Sequence, residues 1–224
     1  PGVIIKSIEC LQPGHYLRWS NGEVRIESYF SPSWSAGGNR FGSHSECVHA
    51  TREGLLESIR THLVSDVPVG VFLSGGLDST LIAAGMKEVG VDDLRSFSIG
   101  YEGAAGVEDE SPAAARTAEF LGARHVTETI SAQSLEELLD SYLWFLDQPS
   151  GDALNTFLVS RVAARDVKVT LSGLGADEWF GGYNYHRLAL LARRFGVRPA
   201  LLRSCTGPAV DALLALLPES LRGR

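Results

Sequence analysis

The stretch "VGVFLSGGLDSTLIAAGM", residues 69–86, constrains the fold more than any other part of the chain. It begins with a short, mainly apolar run that is typical of a buried parallel strand, continues with Ser-Gly-Gly-Leu-Asp-Ser, and ends in a run with helical character. Glycines let backbone N–H groups approach a ligand closely, and a helix N-terminus attracts anions. The stretch therefore predicts a strand, a loop and a helix that together hold a phosphate group.

The remaining sequence repeats this alternation of strands and helices. Ser111 followed by Pro112 predicts a helix start, as does a capping box from Ser134 to Glu137. Apolar periodicity predicts further strands at 94–100, 124–130 and 167–171, and helices at 48–63, 79–89, 111–122, 134–146, 155–164 and from about 185 onwards. Such alternation predicts an α/β fold, a parallel sheet flanked by helices. Ligands of these sheets bind where strands end, here at 74–79, 100–101 and 172–178.

The N-terminal part has a different pattern. Residues 4–30 are predicted to be β-structure, because Asn21-Gly22 between "HYLRW" and "EVRIESYF" is a strong hairpin signal. Cys10 is interpreted as a packed residue of this β-segment. Residues 31–45 are rich in Ser, Gly and Pro and are predicted to be a linker. A two-stranded piece is marginal alone, so we expect it to lean on the next domain or to be mobile.

Composition excludes several classes of protein. A chain of 224 residues suits one medium α/β domain with a piece of another, and its net charge of −7 disfavours nucleic-acid partners. Cys10, Cys47 and Cys205 are too scattered for a zinc knuckle or a disulfide framework, which favours a reduced, cytoplasmic setting. No apolar run approaches the ~20 residues of a membrane span. The only methionine is Met86, so we expect the chain to be a fragment.

A second loop, "LSGLGADEWFGGY" at residues 171–183, has the same construction as the first. A carboxylate beside a phosphate is repulsive unless a cation lies between them, and Mg²⁺ typically joins one or two carboxylates to substrate phosphates. Asp78 and Asp177 are therefore predicted to meet across neighbouring strand ends and to share Mg²⁺ and pyrophosphate. The alternative is that Asp78, Asp177 and Glu178 only stabilise helix starts.

Four segments resemble the glutamine-hydrolysing asparagine synthetase family. They are "LQPGHYLRW", which resembles the end of that family's amidotransferase domain, "LSGGLDST", which resembles its pyrophosphate loop, "FSIGYEG", and "DQPSGDALNTFLVSRVAARDVKVTLSGLGADEWFGGY". The resemblance implies the adenine-nucleotide α-hydrolase (PP-loop) fold. It also implies an amidotransferase remnant at 1–32, a linker at 33–45, and a partial synthetase domain at 46–224.

The resemblance further implies an activity and a site. ATP and Mg²⁺ would bind, aspartate would become aspartyl-AMP, and ammonia taken from glutamine by a domain that this chain lacks would give asparagine. Asp78 and Asp177 would hold the metal and serve as the catalytic residues. The residues implied to contact the nucleotide are Leu73, Ser74, Gly75, Gly76, Asp78, Ser79, Ile99, Ser172 and Gly173.

The chain departs from this family at three points. Leu174 stands where the best-known asparagine synthetases carry a glutamate. The identity of the carboxylic acid that accepts the ammonia therefore stays open. The chain has no N-terminal cysteine nucleophile, and we therefore expect no glutaminase site. The family also uses a lysine well beyond the second loop, and no lysine follows Lys168, so we expect the chain to be a fragment. Two alternatives stay open: a related amidoligase that adenylates another carboxylate, in β-lactam or peptide formation, and a nucleotide-binding fragment without turnover.

Other polar residues give weaker signals. Asp147, Asp152 and Asn155 either line an amino-acid pocket or, for Asp152, cap a helix. The six histidines share no metal-ligand spacing, and only His186 is near a predicted site loop. A homodimer is left as an open alternative for the assembly.

Overall fold

Six strands and six helices are formed by the residues that the structure, a computed structural model, describes: 3, 5–31, 41–103, 109–146, 150, 153–183, 186 and 190. The strands are β1 His15–Ser20, β2 Glu23–Ser28, β3 Val69–Phe72, β4 Arg95–Tyr101, β5 Arg124–Ile130 and β6 Val169–Leu171. The helices are α1 His44–His62, α2 Leu77–Glu88, α3 Ser111–Leu121, α4 Ala132–Phe145, α5 Ala153–Ala163 and α6 Ala176–Phe180.

Strands β3 to β6 form one parallel sheet in the order β5-β4-β3-β6. Strand β3 is central and pairs with β4 on one side and with β6 on the other, so that Val71 lies opposite both Ser96 and Leu171. The predicted parallel sheet flanked by helices is confirmed. Because β3 and β6 are parallel neighbours, the loops that follow them leave the same edge of the sheet side by side.

Apolar side chains cover both faces of this sheet. On one face Val69, Val71 and Leu73 pack with residues of α1, α2 and α3, including Met86, which is fully buried. On the other face a second cluster joins the sheet to α5, and its buried members are Phe97, Val162, Ala163 and Val167. Burial on both faces explains why "VGVFL" is continuously apolar instead of alternating.

A glycine allows α1 and α2 to pack closely. A Cβ at Gly85 in α2 would lie 2.4 Å from Ile59 Cδ1 of α1, whereas a Cβ at Gly54 of α1 would meet nothing within 4 Å. We expect Gly85→Ala to lower the free energy of unfolding by about 1–3 kcal/mol through overpacking. Gly54→Ala should instead raise it by about 0.5–1 kcal/mol, because alanine is the better helix former. Urea unfolding measures the free energy of unfolding of each variant. Equal changes in this free energy for Gly85→Ala and Gly54→Ala would contradict the packing argument.

The N-terminal hairpin is present but shorter than predicted. Only residues 15–20 and 23–28 form strands, and Cys10 lies outside them, so its assignment to a strand was wrong. The ladder stops at its N-terminal end because Pro13 has no N–H to donate, and residues 8–12 have no strand partner in the described part. Asn21 and Gly22 both have positive φ, as a two-residue hairpin turn requires.

One predicted helix start, at Ser111, is confirmed, and the other was wrong. Helix α3 is preceded by Glu110 as N-cap, so Ser111 is its first residue. Helix α4 starts at Ala132, because the Ser131 hydroxyl accepts a hydrogen bond from Ser134 N–H at 3.1 Å and so supplies the cap three residues earlier than predicted. The helix end at Gly122, with a φ of 63°, is confirmed.

His125 on β5 is enclosed by hydroxyl groups. Its ring nitrogens lie 2.9 Å from Ser96 Oγ, 3.1 Å from Ser98 Oγ and 2.9 Å from Thr127 Oγ1. Burial lowers the pKa of His125 below its usual value, and a hydrogen bond with Ser96 offsets part of that shift.

This lowered pKa predicts a pH dependence of stability. The unfolded chain protonates His125 at a higher pH than the folded protein does, so the contribution of the neutral ring is fully present above about pH 6.5. It is lost as the pH falls from there through the folded pKa. We expect His125→Gln to flatten the slope of unfolding free energy against pH between about pH 5 and 7. An unchanged slope in urea titrations of this variant would contradict the assignment.

Some predictions fall outside the described residues. They concern the helical segment beyond residue 190 and the individual residues Asp147, Asp152 and Cys205. The domain limits at residues 32 and 45 stay predictions. Within the described ranges, every helix is too short or too polar to cross a membrane.

Candidate functional site

A cavity of about 490 Å³ opens at the carboxyl ends of β3, β4 and β6. Its walls come from both loops that the sequence singled out, from the last residues of β4, and from the first turns of α3 and α5. The lining residues are Phe72, Leu73, Ser74, Asp78, Ser79, Phe97, Ser98, Ile99, Tyr101, Asp109, Glu110, Ser111, Asn155, Thr156, Val159, Ser172, Gly173 and Leu174. Seven of the nine residues that the resemblance implied for the nucleotide are in this list.

The loop between β3 and α2 presents the start of a helix without a side-chain cap. Gly76 is the N-cap of α2 and makes no side-chain hydrogen bond, which leaves the N–H groups of Leu77 and Asp78 uncapped by side chains. Uncapped N–H groups at a helix N-terminus form a site for an anion. Asp78, in the first turn, lines the cavity beside them.

Gly75 is required by packing. Its φ is +79°, and a Cβ there would lie 2.7 Å from Ala113 Cβ and 2.8 Å from Ala114 N of α3. Neither Gly75 nor Gly76 lines the cavity. The two glycines therefore shape the loop, and their implied role as nucleotide contacts stays a prediction.

The two loop hydroxyls hold the loop closed. Ser79 Oγ accepts a hydrogen bond from Ser74 N–H at 3.2 Å and donates to the carbonyl of Gly76 at 3.2 Å. Ser74 Oγ lies 3.0 Å from Ser79 Oγ and accepts from Gly76 N–H. A hydroxyl has one proton, so Ser79 has none left to donate to a ligand while this network is intact. Ser74 must then donate its own proton to Ser79 Oγ, so the donors that remain for an anion are the backbone N–H groups.

The loop after β6 lies directly against the start of α2. A Cβ at Gly173 would be 2.9 Å from Ser79 N and 3.1 Å from both the carbonyl carbon and the Cβ of Asp78. Only glycine allows this approach without displacing backbone. The predicted meeting of the two loops at one sheet edge is therefore seen at Gly173 and Asp78.

Asp177 is placed differently from Asp78. It lies in the first turn of α6, and its carbonyl accepts hydrogen bonds from Gly181 N–H and Gly182 N–H. Its Oδ1 packs over Gly182, where a Cβ would be only 1.7 Å away. Asp177 does not line the cavity, and a metal shared with Asp78 stays a prediction.

An apolar slot adjoins the loops. Leu73, Ile99 and Phe72 line the cavity together with Val159 of α5. Leu73 and Ile99 are two of the residues that the resemblance implied for nucleotide contact. The flat face of a base fits such a slot, and the first turn of α2 borders the same cavity.

Sequence reasoning named Tyr101 only as a strand end and gave Asp109 and Thr156 no role in the site. Tyr101 is the last residue of β4, and its hydroxyl donates a hydrogen bond to Asn155 Oδ1 of α5. Asp109 accepts from Ser111 N–H at 3.0 Å, and Thr156 follows Asn155. The position of Tyr101 after an apolar strand was a usable signal, but its partner on α5 could not be identified without the fold. His186 packs near Tyr183, with 5.9 Å between the centroids of the two rings, and it does not line the cavity.

Mg²⁺ binds oxygen ligands, and carboxylates are its usual side-chain ligands in proteins. Among the residues that the structure describes, no three His, Cys, Asp or Glu side chains cluster as a metal cage. Mg²⁺ commonly binds through one or two carboxylates together with substrate phosphates. A single carboxylate, Asp78, beside uncapped N–H groups fits that mode, in which the ion arrives with the nucleotide.

Comparison with known proteins gives the family. The asparagine synthase family model matches residues 50–223. Asparagine synthetase [glutamine-hydrolyzing] 1 of Bacillus subtilis (strain 168) is 31% identical over 227 residues, covering 100% of this chain and 34% of the relative. Amidase chry2 of Gibberella zeae is 32% identical over 233 residues, covering 94% of this chain and 34% of the relative. The chain thus spans about a third of the length of these curated relatives.

A solved structure gives a distant superposition. Glutamine-dependent NAD+ synthetase from Acinetobacter baumannii, in complex with adenosine diphosphate, superposes with a TM-score of 0.42 at 18% identity, over 73% of this chain and 35% of that chain. This superposition is too distant to bear on the site. The family match is the stronger finding, because it includes both site loops and most of the chain. The chain belongs to the asparagine synthase family.

Proposed function

We propose that this chain carries the ATP-dependent step of an amidation, in which a carboxylic acid is activated as its acyl-adenylate. Aspartate is the proposed acid and asparagine the product, with ammonia supplied from glutamine. One observation supports this proposal above the others: the uncapped start of α2, the Gly173 loop and the apolar slot all border one cavity. Family membership and the names of the relatives support the same reaction.

The chemistry requires an activated acid, because oxide is a poor leaving group. In the first step an oxygen of the acceptor carboxylate attacks the α-phosphorus of ATP. The bond from that phosphorus to the bridging oxygen breaks, and pyrophosphate leaves with the electron pair. In the second step ammonia attacks the acyl carbon, the carbon–oxygen bond to AMP breaks, and the surplus proton passes to solvent or a base.

The loops supply what the first step needs. Charge builds up on the departing pyrophosphate, and the N–H groups at the start of α2 are placed to stabilise it. Asp78, with Asp177 as the second proposed ligand, would hold Mg²⁺, which neutralises phosphate charge. Leu73, Ile99, Ser172 and Gly173 are proposed to bind the nucleoside part. Removing one such stabilising group costs about 3 kcal/mol in other enzymes.

A second candidate acts on a different carboxylic acid by the same adenylation. The observation that favours it is Leu174, a residue that lines the cavity and is 77% exposed. Leucine has no group that accepts a proton, so a reaction that needs a base at this position must obtain it elsewhere. Two relatives are named amidases, and these names give weak support to the second candidate.

Isotope exchange between ATP and pyrophosphate tests both candidates. The full-length protein is incubated with labelled pyrophosphate, Mg·ATP and one acid at a time. Exchange that depends on aspartate supports the first candidate, and exchange that depends on another acid supports the second. Nucleotide binding by calorimetry without exchange for any acid would contradict both and leave a nucleotide-binding chain.

A further inference from the structure

Tyr101 and Asn155 form a hydrogen-bonded pair across the cavity wall, between the end of β4 and the first turn of α5. The Tyr101 hydroxyl donates and Asn155 Oδ1 accepts. Both residues line the cavity that contains Asp78 and Gly173. No role in nucleotide binding follows from the family resemblance for either residue.

The pair leaves a particular group available to a ligand. Because Asn155 Oδ1 faces the Tyr101 hydroxyl, the amide nitrogen Nδ2 points the other way with two N–H donors. The structure gives Nδ2 no hydrogen-bond partner among the residues that it describes. Burial raises the pKa of Tyr101, which keeps its hydroxyl protonated and donating. Tyr101 thus fixes the orientation in which Asn155 presents donors.

The chemistry of the cavity indicates what these donors bind. None of the described lining residues is a lysine or an arginine, so the donors that these residues offer to a carboxylate are neutral. Adenine would pair with an amide through one donor and one acceptor, and Tyr101 already occupies one of the two lone pairs of Asn155 Oδ1. A carboxylate calls on donors alone. Thr156, which also lines the cavity, adds a hydroxyl next to Asn155.

The position of the pair is suitable for the second substrate. Ile99 and Tyr101 are two residues apart on β4, so their side chains lie on the same face of the sheet. That face packs against α5, where Ile99 contacts the buried cluster and Tyr101 contacts Asn155. A ligand at Asn155 therefore lies beside the proposed nucleotide slot, as an acid that attacks the α-phosphorus must.

We propose that Asn155 is a specificity-determining residue that donates through Nδ2 to an oxygen of the acceptor acid, and that Tyr101 is its positioning residue. This inference rests on the proposed adenylation. It assigns acceptor recognition to two residues outside the phosphate loops.

Asn155→Asp provides a direct test. Aspartate has the same shape and can still accept the hydrogen bond from Tyr101, so a purely structural role predicts no loss. A recognition role predicts loss, because the two donors are replaced by a negative charge facing the acceptor. In pyrophosphate exchange we expect KM for the acceptor to rise about 10–100-fold, as expected for a lost hydrogen bond to a charged group, while KM for ATP changes less than about twofold.

Tyr101→Phe isolates the positioning role. It should raise KM for the acceptor by a smaller factor, about 3–10-fold, as for one neutral hydrogen bond. The double variant should be no worse than Asn155→Asp alone, since both act on one contact. Tyr142→Phe, whose ring packs on Phe157 outside the cavity, and Gln12→Glu, an exposed amide-to-acid change, are the matched controls.

The outcomes are separable. If Asn155→Asp leaves both KM values unchanged, or raises KM for ATP as much as KM for the acceptor, the inference is overturned. If Asn155→Asp does not fold, Tyr101→Phe decides by the same comparison of KM values. If the unaltered protein shows no exchange with any acid, the proposed function and this inference are overturned together. If exchange occurs and neither variant changes the KM for the acceptor, this inference alone is overturned.

Discussion

Asp78→Ala is expected to weaken the binding of Mg·ATP and to leave the affinity for AMP unchanged. Asp78 lines the cavity at the uncapped start of α2, where the β- and γ-phosphates are proposed to lie. Without a cation the Asp78 carboxylate would repel those phosphates. Asp78 can therefore raise the affinity for ATP only through a bound Mg²⁺. AMP lacks the pyrophosphate, so its affinity should be the same for Asp78→Ala and for the unaltered protein. Calorimetry with ATP and AMP, each with and without Mg²⁺, makes the comparison.

The effect on turnover should be larger than the effect on binding. The charge on pyrophosphate increases as it leaves, and loss of one electrostatic stabiliser typically costs about 3 kcal/mol, or a 100–1,000-fold lower exchange rate. Asp78→Asn preserves the shape and removes the charge, so it should show most of the loss. Asp140→Asn, an exposed change on α4 away from the cavity, is the control for general charge effects.

A structural role for Asp78 gives a different pattern. An acidic residue in the first turn stabilises a helix by about 0.3–1 kcal/mol through the helix dipole. If Asp78→Ala lowers AMP and ATP affinity equally and lowers the melting temperature, the carboxylate only supports α2. The same measurements on Asp177→Asn decide whether the second proposed metal ligand takes part.

The fold was largely predictable because its signals are local. The run from Val69 to Phe72 is apolar on both faces, and Gly122 ends α3 in the left-handed conformation that glycine permits. Helix starts were less predictable, because several hydroxyls near one another can each serve as the cap. Ser131 caps α4 instead of Ser134, and a sequence pattern cannot rank such neighbours.

The candidate site was predictable only in part. The strand-end rule correctly grouped the two loops, since it depends on topology that alternation reveals. The strand-end rule could not show that the Ser79 hydroxyl donates to the carbonyl of Gly76, or that the Asp177 side chain packs over Gly182. It could not pair Tyr101 with Asn155 either, because that contact joins residues 54 positions apart. Contacts of this kind depend on how helices pack on the sheet.

Gly173→Ala is expected to separate the two loops and to abolish productive nucleotide binding while the fold persists. A methyl group at this position would meet backbone, Ser79 N at 2.9 Å and Asp78 C at 3.1 Å, and backbone cannot rotate away as a side chain can. The β6 loop or the start of α2 must therefore shift. A misplacement of about 1 Å in a positioned site can cost 100-fold in rate, and we expect at least that loss in pyrophosphate exchange.

The location of the strain separates this result from simple destabilisation. Overpacking should lower the free energy of unfolding by about 1–3 kcal/mol, and Gly85→Ala should do so by a similar amount, but at the α1–α2 contact outside the cavity lining. Gly85→Ala should therefore keep ATP affinity and exchange rate near those of the unaltered protein at a temperature well below unfolding. If Gly173→Ala also keeps them, the approach of the β6 loop to Asp78 is only packing, and the nucleotide must bind without it.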